Sequence, residues 1–243
     1  MQHVLLCLHG WGGSKNSFAE LRAALKDDPI TVLTPDLPGF GDEPEPKTPW
    51  TTDDYVEWVM QYLDSRLETQ DSKVLLLGHS HGGRIAIKLA AGNRVPIAHL
   101  FLCAAAGIRH MRHFKRILGL TLAKTGKGLL SIPGMRVLQP AGKKFLYRLV
   151  RVHDYEKASK IMQGTLINVT EEDLRPLLST IHVPTDIFWG INDGMTPVSD
   201  AKVMNRCIEN SQLHLFPGVR HGVHRDRAED IAGVIREVIS KKA

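Results

Sequence analysis

Cysteine is scarce in this 243-residue chain, with three in all. Cys7, Cys103 and Cys207 are odd in number and follow no motif spacing, which argues against both a disulfide framework and a cysteine-based metal knuckle. Cys7 and Cys103 fall in apolar runs and are expected as small buried hydrophobes. No stretch approaches the roughly eighteen consecutive apolar residues that a membrane span needs. The first apolar run, Val4–Leu8, has no basic region before it and no small-residue cleavage site after it, so a cytoplasmic location is expected. Aromatic residues make up only 6% of the chain and are not interleaved with its basic residues, so nucleic acid is not an expected partner. Internal repeats and low-complexity tracts are missing too.

What the sequence does have is a recurring figure: a short apolar run closed by glycine or proline. Val4–Leu8, Ile30–Thr34, Val74–Leu77, Ile97–Ala104, Asp186–Trp189 and Leu213–Phe216 all show it. Such runs read as buried parallel strands entering loops. Helical spacing lies between them, at Ser17–Leu25, Asp53–Leu67, Ile85–Ala91, Val198–Ile208 and Asp226–Ile239, with Thr51 or Thr52 as a cap of the second. This alternation predicts an α/β fold, a mostly parallel sheet of about six strands with helices on both faces. The length suits one domain. The stretch from about 108 to 178 breaks the alternation, with helical segments and no convincing strand. It reads as a helical cap inserted into a core of residues 1–107 and 179–243, over the carboxyl ends of the strands, where open α/β sheets place ligands.

Charge is concentrated in that insertion. Ile108–Lys160 holds 13 Lys or Arg against Asp154 and Glu156, while the remainder has 18 basic and 24 acidic residues. Met111, Phe114, Leu118 and Leu122 can share one helical face, with Arg112, Lys115 and Arg116 elsewhere. Three readings stay open: a lid with solvated charges, a dock for an anionic partner such as an acidic acyl-carrier protein, and attachment to an anionic membrane surface.

The chemistry centres on Gly78-His79-Ser80-His81-Gly82-Gly83. It follows one apolar run and opens a helix, the setting of a nucleophile elbow that lifts Ser80 above the sheet edge. A serine needs a base. Of twelve histidines, His221 sits in a loop after the last strand, level with Ser80, with His224 as runner-up. His79 and His81 would have to fold back within the elbow; His3, His99 and His214 lie in or beside strands. Asp193, in the loop after the fifth strand, is the expected orienting carboxylate and gives the chain order Ser, Asp, His. Asp186 lies at the wrong end of that strand, and Asp36 sits in a Pro/Gly-rich loop that looks like a turn. Backbone N–H groups of Trp11 and His81 are the expected oxyanion donors.

These residues resemble the α/β-hydrolase superfamily over nearly the whole chain. His9-Gly10-Trp11-Gly12-Gly13 resembles its oxyanion loop, Asp36–Gly41 its second-strand loop, and Gly78–Gly83, Asp193 and His221 its elbow, acid and base. Within it, the sequence is most similar to small bacterial carboxylesterases, including pimeloyl-carrier-protein methyl ester esterases. Two departures stand out. The resemblance begins at the family's third strand, so a version trimmed of the two strands that usually precede it is expected, and Asp42-Glu43-Pro44 stands where the second-strand loop often ends in serine. The resemblance implies a serine carboxylesterase acting on a small-molecule ester without a metal or organic cofactor. A ring-fission type C–C bond hydrolase and a non-catalytic hydrolase-like binding protein are the alternatives.

Overall fold

The computed structural model describes residues 3–67, 73–110 and 158–241. Residues 111–157 lie outside the described part, so the amphipathic face around Phe114 and the charges of Arg112, Lys115 and Arg116 do too.

Six strands form one parallel sheet: β1 (His3–Leu8), β2 (Ile30–Leu33), β3 (Lys73–His79), β4 (Ile97–Cys103), β5 (Thr185–Gly190) and β6 (Ser211–Phe216). Their order is β2-β1-β3-β4-β5-β6. Leu5, Leu6, Leu75, Leu77, Leu100, Phe101, Ile187 and Phe188 are inaccessible to solvent. Strands covered on both faces need such continuous apolar runs, whereas no residue of the edge strands β2 and β6 is fully buried. The chain steps from β1 out to β2, returns to β3 on the other side, and then proceeds to β6 without reversal. Its topological switch therefore lies between β1 and β3, and the loops after these two strands flank the crevice where ligands bind in such sheets.

The helices are α1 (Ala19–Ala24), α2 (Thr52–Asp64), α3 (His81–Gly92), α4 (Lys160–Glu171), α5 (Arg175–Leu178), α6 (Val198–Cys207), α7 (Val223–Asp226) and α8 (Ala228–Ser240). They pack as two groups. α1 meets α7 and α8; α3 meets β1, β3, β4, α2 and α5, and α5 meets α6. Thr51 caps α2 in a reciprocal box with Asp54. Two expected helices are divided. Lys15–Phe18 is a 3-10 turn ahead of α1, and α7 is separated from α8 at Arg227, whose φ of −132° leaves the helical region.

Of the insertion, α4 and α5 are described. α4 rests on the 38–50 loop: Trp50 N donates to Thr165 Oγ1 (2.9 Å), and Asn168 Nδ2 to Trp50 O (3.2 Å). The segment between α4 and α5 is tied to α3, since Lys88 Nζ is 2.7 Å from Asp53 and 2.5 Å from Glu172. Arg84, 5% exposed, donates to Glu172 O.

Across β4, β5 and β6, the buried Asp186 accepts from His99 Nε2 (2.8 Å) and His214 Nε2 (2.6 Å). This gives both strand histidines the structural place expected of them, near the amino end of β5. Burial raises the Asp186 pKa, but the two histidines outweigh it and bring it down to about 2. Its contribution is thus present above the unfolded value near 4 and is lost as pH falls toward 2. Asp186→Ala is expected to cost about 2–3 kcal/mol at pH 7, or about 5–10 °C in Tm for a domain of this size. Melting curves of the variant and wild type at pH 7 check this.

Candidate active site

Ser80 joins β3 to α3 with φ 50° and ψ −111°, a combination non-glycine residues seldom adopt. Strain of this kind, about 1–3 kcal/mol, persists only when surroundings enforce it. Here Ser80 N donates to Cys103 O (3.2 Å), while Ser80 O accepts from Gly83 N (3.0 Å) and Ala106 N (2.9 Å). Two glycines make room. A Cβ on Gly82 would sit 2.0 Å from Leu8 O, and one on Gly78 would sit 2.6 Å from Gly82 O. Gly82 N donates to His9 O (3.0 Å), binding the elbow to the end of β1. These contacts begin α3 at His81 rather than near Ile85, overriding the poor helix propensity of Gly82-Gly83.

Asp193 and His221 come together. His221 Nδ1 lies 2.7 Å from Asp193 Oδ2, and the carboxylate is fully buried. A carboxylate accepts, so Nδ1 donates and Nε2 keeps its lone pair, the arrangement a general base needs. The acid is held by its own loop. Oδ1 accepts from Met195 N (2.7 Å) and Thr196 N (3.1 Å), and Oδ2 accepts from Thr196 Oγ1 (2.8 Å). Burial alone would raise the Asp193 pKa; the bond from His221, its charge and the two turn groups bring it below the ordinary carboxylate value. The acid and base loops are laced by Asn192 N to Val219 O and Gly218 N to Asn192 Oδ1, each 3.0 Å. Thr196 carries no sequence motif that marks it for this bracing. Its side chain also reaches Ala104 O (3.2 Å) and His221 Nδ1 (3.3 Å).

Elbow and base loop meet through His79, whose Nε2 is 3.0 Å from His221 O. The hydroxyl of Ser80 and the His221 ring are on these touching segments and are not hydrogen-bonded to each other. The runner-up, His224, packs its ring tilted against His79 (3.8 Å between centroids) and edge-on to Phe18 (5.3 Å).

The amides of Trp11 and His81 have no acceptor among the described residues. The Trp11 loop is fixed by His9, whose Nδ1 donates to Gly10 O (2.8 Å) and whose Nε2 accepts from Leu37 N (3.0 Å). Asp36, as a turn former, holds the amides of Lys15 and Asp42. The Trp11 ring stands edge-on to Phe40 and His81, and Tyr55 closes the other side of His81. His81 is 3% exposed and neither ring nitrogen has a partner. Burial foremost, then Arg84, lowers its pKa to about 3, so the ring is neutral. A cavity of about 340 Å³ opens beside Trp11, between Gly39, Phe40, Ser159 and Met162. Among the described residues no cluster of three or more His, Cys, Asp or Glu is arranged to hold a metal.

A sequence model described as the alpha/beta hydrolase family matches residues 5–234. Among curated proteins, the chain is 25% identical to the uncharacterized hydrolase YugF of Bacillus subtilis, covering 98% of this chain and 90% of that one. It is 24% identical to Lipase 1 of Psychrobacter immobilis, over 89% of this chain and 70% of the lipase. Among solved structures, an esterase from Exiguobacterium antarcticum shares the fold with a TM-score of 0.73 at 23% identity, covering 99% of this chain and 92% of the esterase.

Proposed function

We propose that this chain, which belongs to the alpha/beta hydrolase family, cleaves carboxylic esters by way of an acyl-enzyme intermediate. The observation that carries the reading is the Asp193–His221 pair, with Nδ1 committed to the acid, lying against the elbow that strains Ser80. In this reading His221 Nε2 takes the Ser80 proton as Oγ attacks the ester carbonyl. The amides of Trp11 and His81 receive the oxyanion, at about 3 kcal/mol per donor. Asp193 stabilises the imidazolium without taking its proton. His221 then protonates the leaving alcohol, and afterwards activates the water that frees the acid. The Trp11–Met162 cavity suits the acyl part of the ester. Anionic partners of the basic 108–160 segment belong to the same proposal, with long-range attraction that salt screens. No helix among the described residues is long and apolar enough to cross a membrane.

The test is a panel of p-nitrophenyl esters of increasing acyl length, run beside labelling with a fluorophosphonate probe. Turnover of at least one ester together with stoichiometric labelling at Ser80 is the expected result. A well-folded protein that neither labels nor hydrolyses any ester would overturn the reading; labelling with turnover confined to vinylogous diketones would move it to C–C bond hydrolysis.

A further inference from the structure

His79 is buried, at 8% exposure, and has no part in the proton transfers described above. Its Nε2 lies 3.0 Å from the main-chain oxygen of His221. A carbonyl only accepts, so Nε2 carries the proton and is the donor. The ring has close neighbours on other sides. His224 lies at 3.8 Å and the His221 ring at 4.9 Å between centroids, and a Cβ on Gly10 would come within 2.9 Å of Nδ1. Among the described residues, no other hydrogen bond joins the elbow, 78–83, to the base loop and α7, 218–226. The bond therefore runs from the residue before Ser80 to the main chain of the residue whose ring is the base.

A leucine or phenylalanine would fill this space without a buried N–H to satisfy. Instead the donor is spent on the base loop. We propose that His79 is a positioning residue: its Nε2–H holds the main chain of His221 at a fixed distance from the Ser80 elbow. The proposal rests on the serine-hydrolase reading of the site. Removing the donor frees the base loop to drift, and misplacement of about 1 Å costs on the order of 100-fold in rate.

Three variants separate this role from simple packing. Glutamine carries an amide N–H at the position of Nε2 and can reach the carbonyl; asparagine corresponds to Nδ1 and falls short; leucine fills the space but cannot donate. With p-nitrophenyl butyrate, kcat is expected to fall about 30- to 100-fold in His79→Asn and His79→Leu, with KM little changed, and to recover to within about tenfold of wild type in His79→Gln. Fluorophosphonate labelling rates should follow the same order. A packing role predicts the reverse order, with leucine best tolerated and losses that follow Tm. Glutamine no better than leucine, or all three at wild-type rates, would overturn the proposal. If His79→Leu does not fold, the glutamine–asparagine comparison decides, since both are polar and neither is aromatic. A wild-type protein that is itself unreactive sinks the esterase reading and this proposal together. A reactive wild type with glutamine and asparagine equally impaired sinks the His79 role alone.

Discussion

Ester turnover in Ser80→Ala is expected to fall by at least about 10⁴-fold, with loss of fluorophosphonate labelling and little change in Tm. Small size makes the change benign to the fold, because Ser80 is held through its main chain, which alanine retains. His221→Ala should lose nearly as much as the serine variant. Asp193→Asn should lose about 10³- to 10⁴-fold, because an amide donates where a carboxylate accepts and turns the imidazole to the wrong tautomer. Combining Ser80→Ala with Asp193→Asn should add little, as expected of groups acting as a unit. Steady-state kinetics of the single and double variants check the set. Independent, multiplying losses would mean that the three side chains do not form one device.

Acid should unfold this protein unusually early. Four histidines around the elbow are held below their ordinary pKa: His9, His79 (well below), His81 (about 3) and His224 (about 4). Burial is the largest cause in each, because imidazolium is poorly accommodated in a dry interior. The sign follows directly. Above about pH 6.5 these rings are neutral in both folded and unfolded chains, so stability does not depend on them; below it the unfolded chain binds protons that the fold refuses. Each ring then removes up to about 1.4 kcal/mol per pH unit until its folded value is reached, and the losses of the four rings act in the same direction. Against a typical total of about 5–15 kcal/mol, the expectation is cooperative unfolding centred near pH 5, well above the range in which carboxylates such as Asp186 act. Far-ultraviolet circular dichroism against pH at constant ionic strength measures the midpoint. His81→Phe should move it to lower pH and also raise Tm at pH 7, since it removes two unpartnered nitrogens while keeping ring contacts with Trp11 and Tyr55. Native signal persisting to pH 4 in wild type would contradict the account.

The sheet was legible in the sequence because fully covered parallel strands must be continuous apolar runs, and all six emerged close to their observed limits. Ser80, Asp193 and His221 stand out in the sequence because each follows a strand, and a parallel sheet brings the loops after its strands to one rim. Hydrogen bonds between distant loops left no such mark. Nothing in the spacing of Thr196 tells that its hydroxyl braces Asp193, and His79 looked awkward in the elbow because its partner is a main-chain oxygen 142 residues away. The start of α3 was misplaced for a similar reason: tertiary contacts at Gly82, not local propensity, decide it. His221 and His224 share one loop in the sequence, and it is His221 whose Nδ1 lies 2.7 Å from Asp193 Oδ2.

The order of the strands has a consequence for biosynthesis. The serine and both oxyanion amides are encoded before β4 is complete, whereas the acid and the imidazole follow β5 and β6. On a ribosome adding about 5–20 residues per second, a nascent chain would carry its nucleophile for several seconds with nothing to deprotonate it. Under the esterase reading, the half-made polypeptide would be kept from attacking acyl compounds and would gain reactivity only when the last edge of the sheet closes.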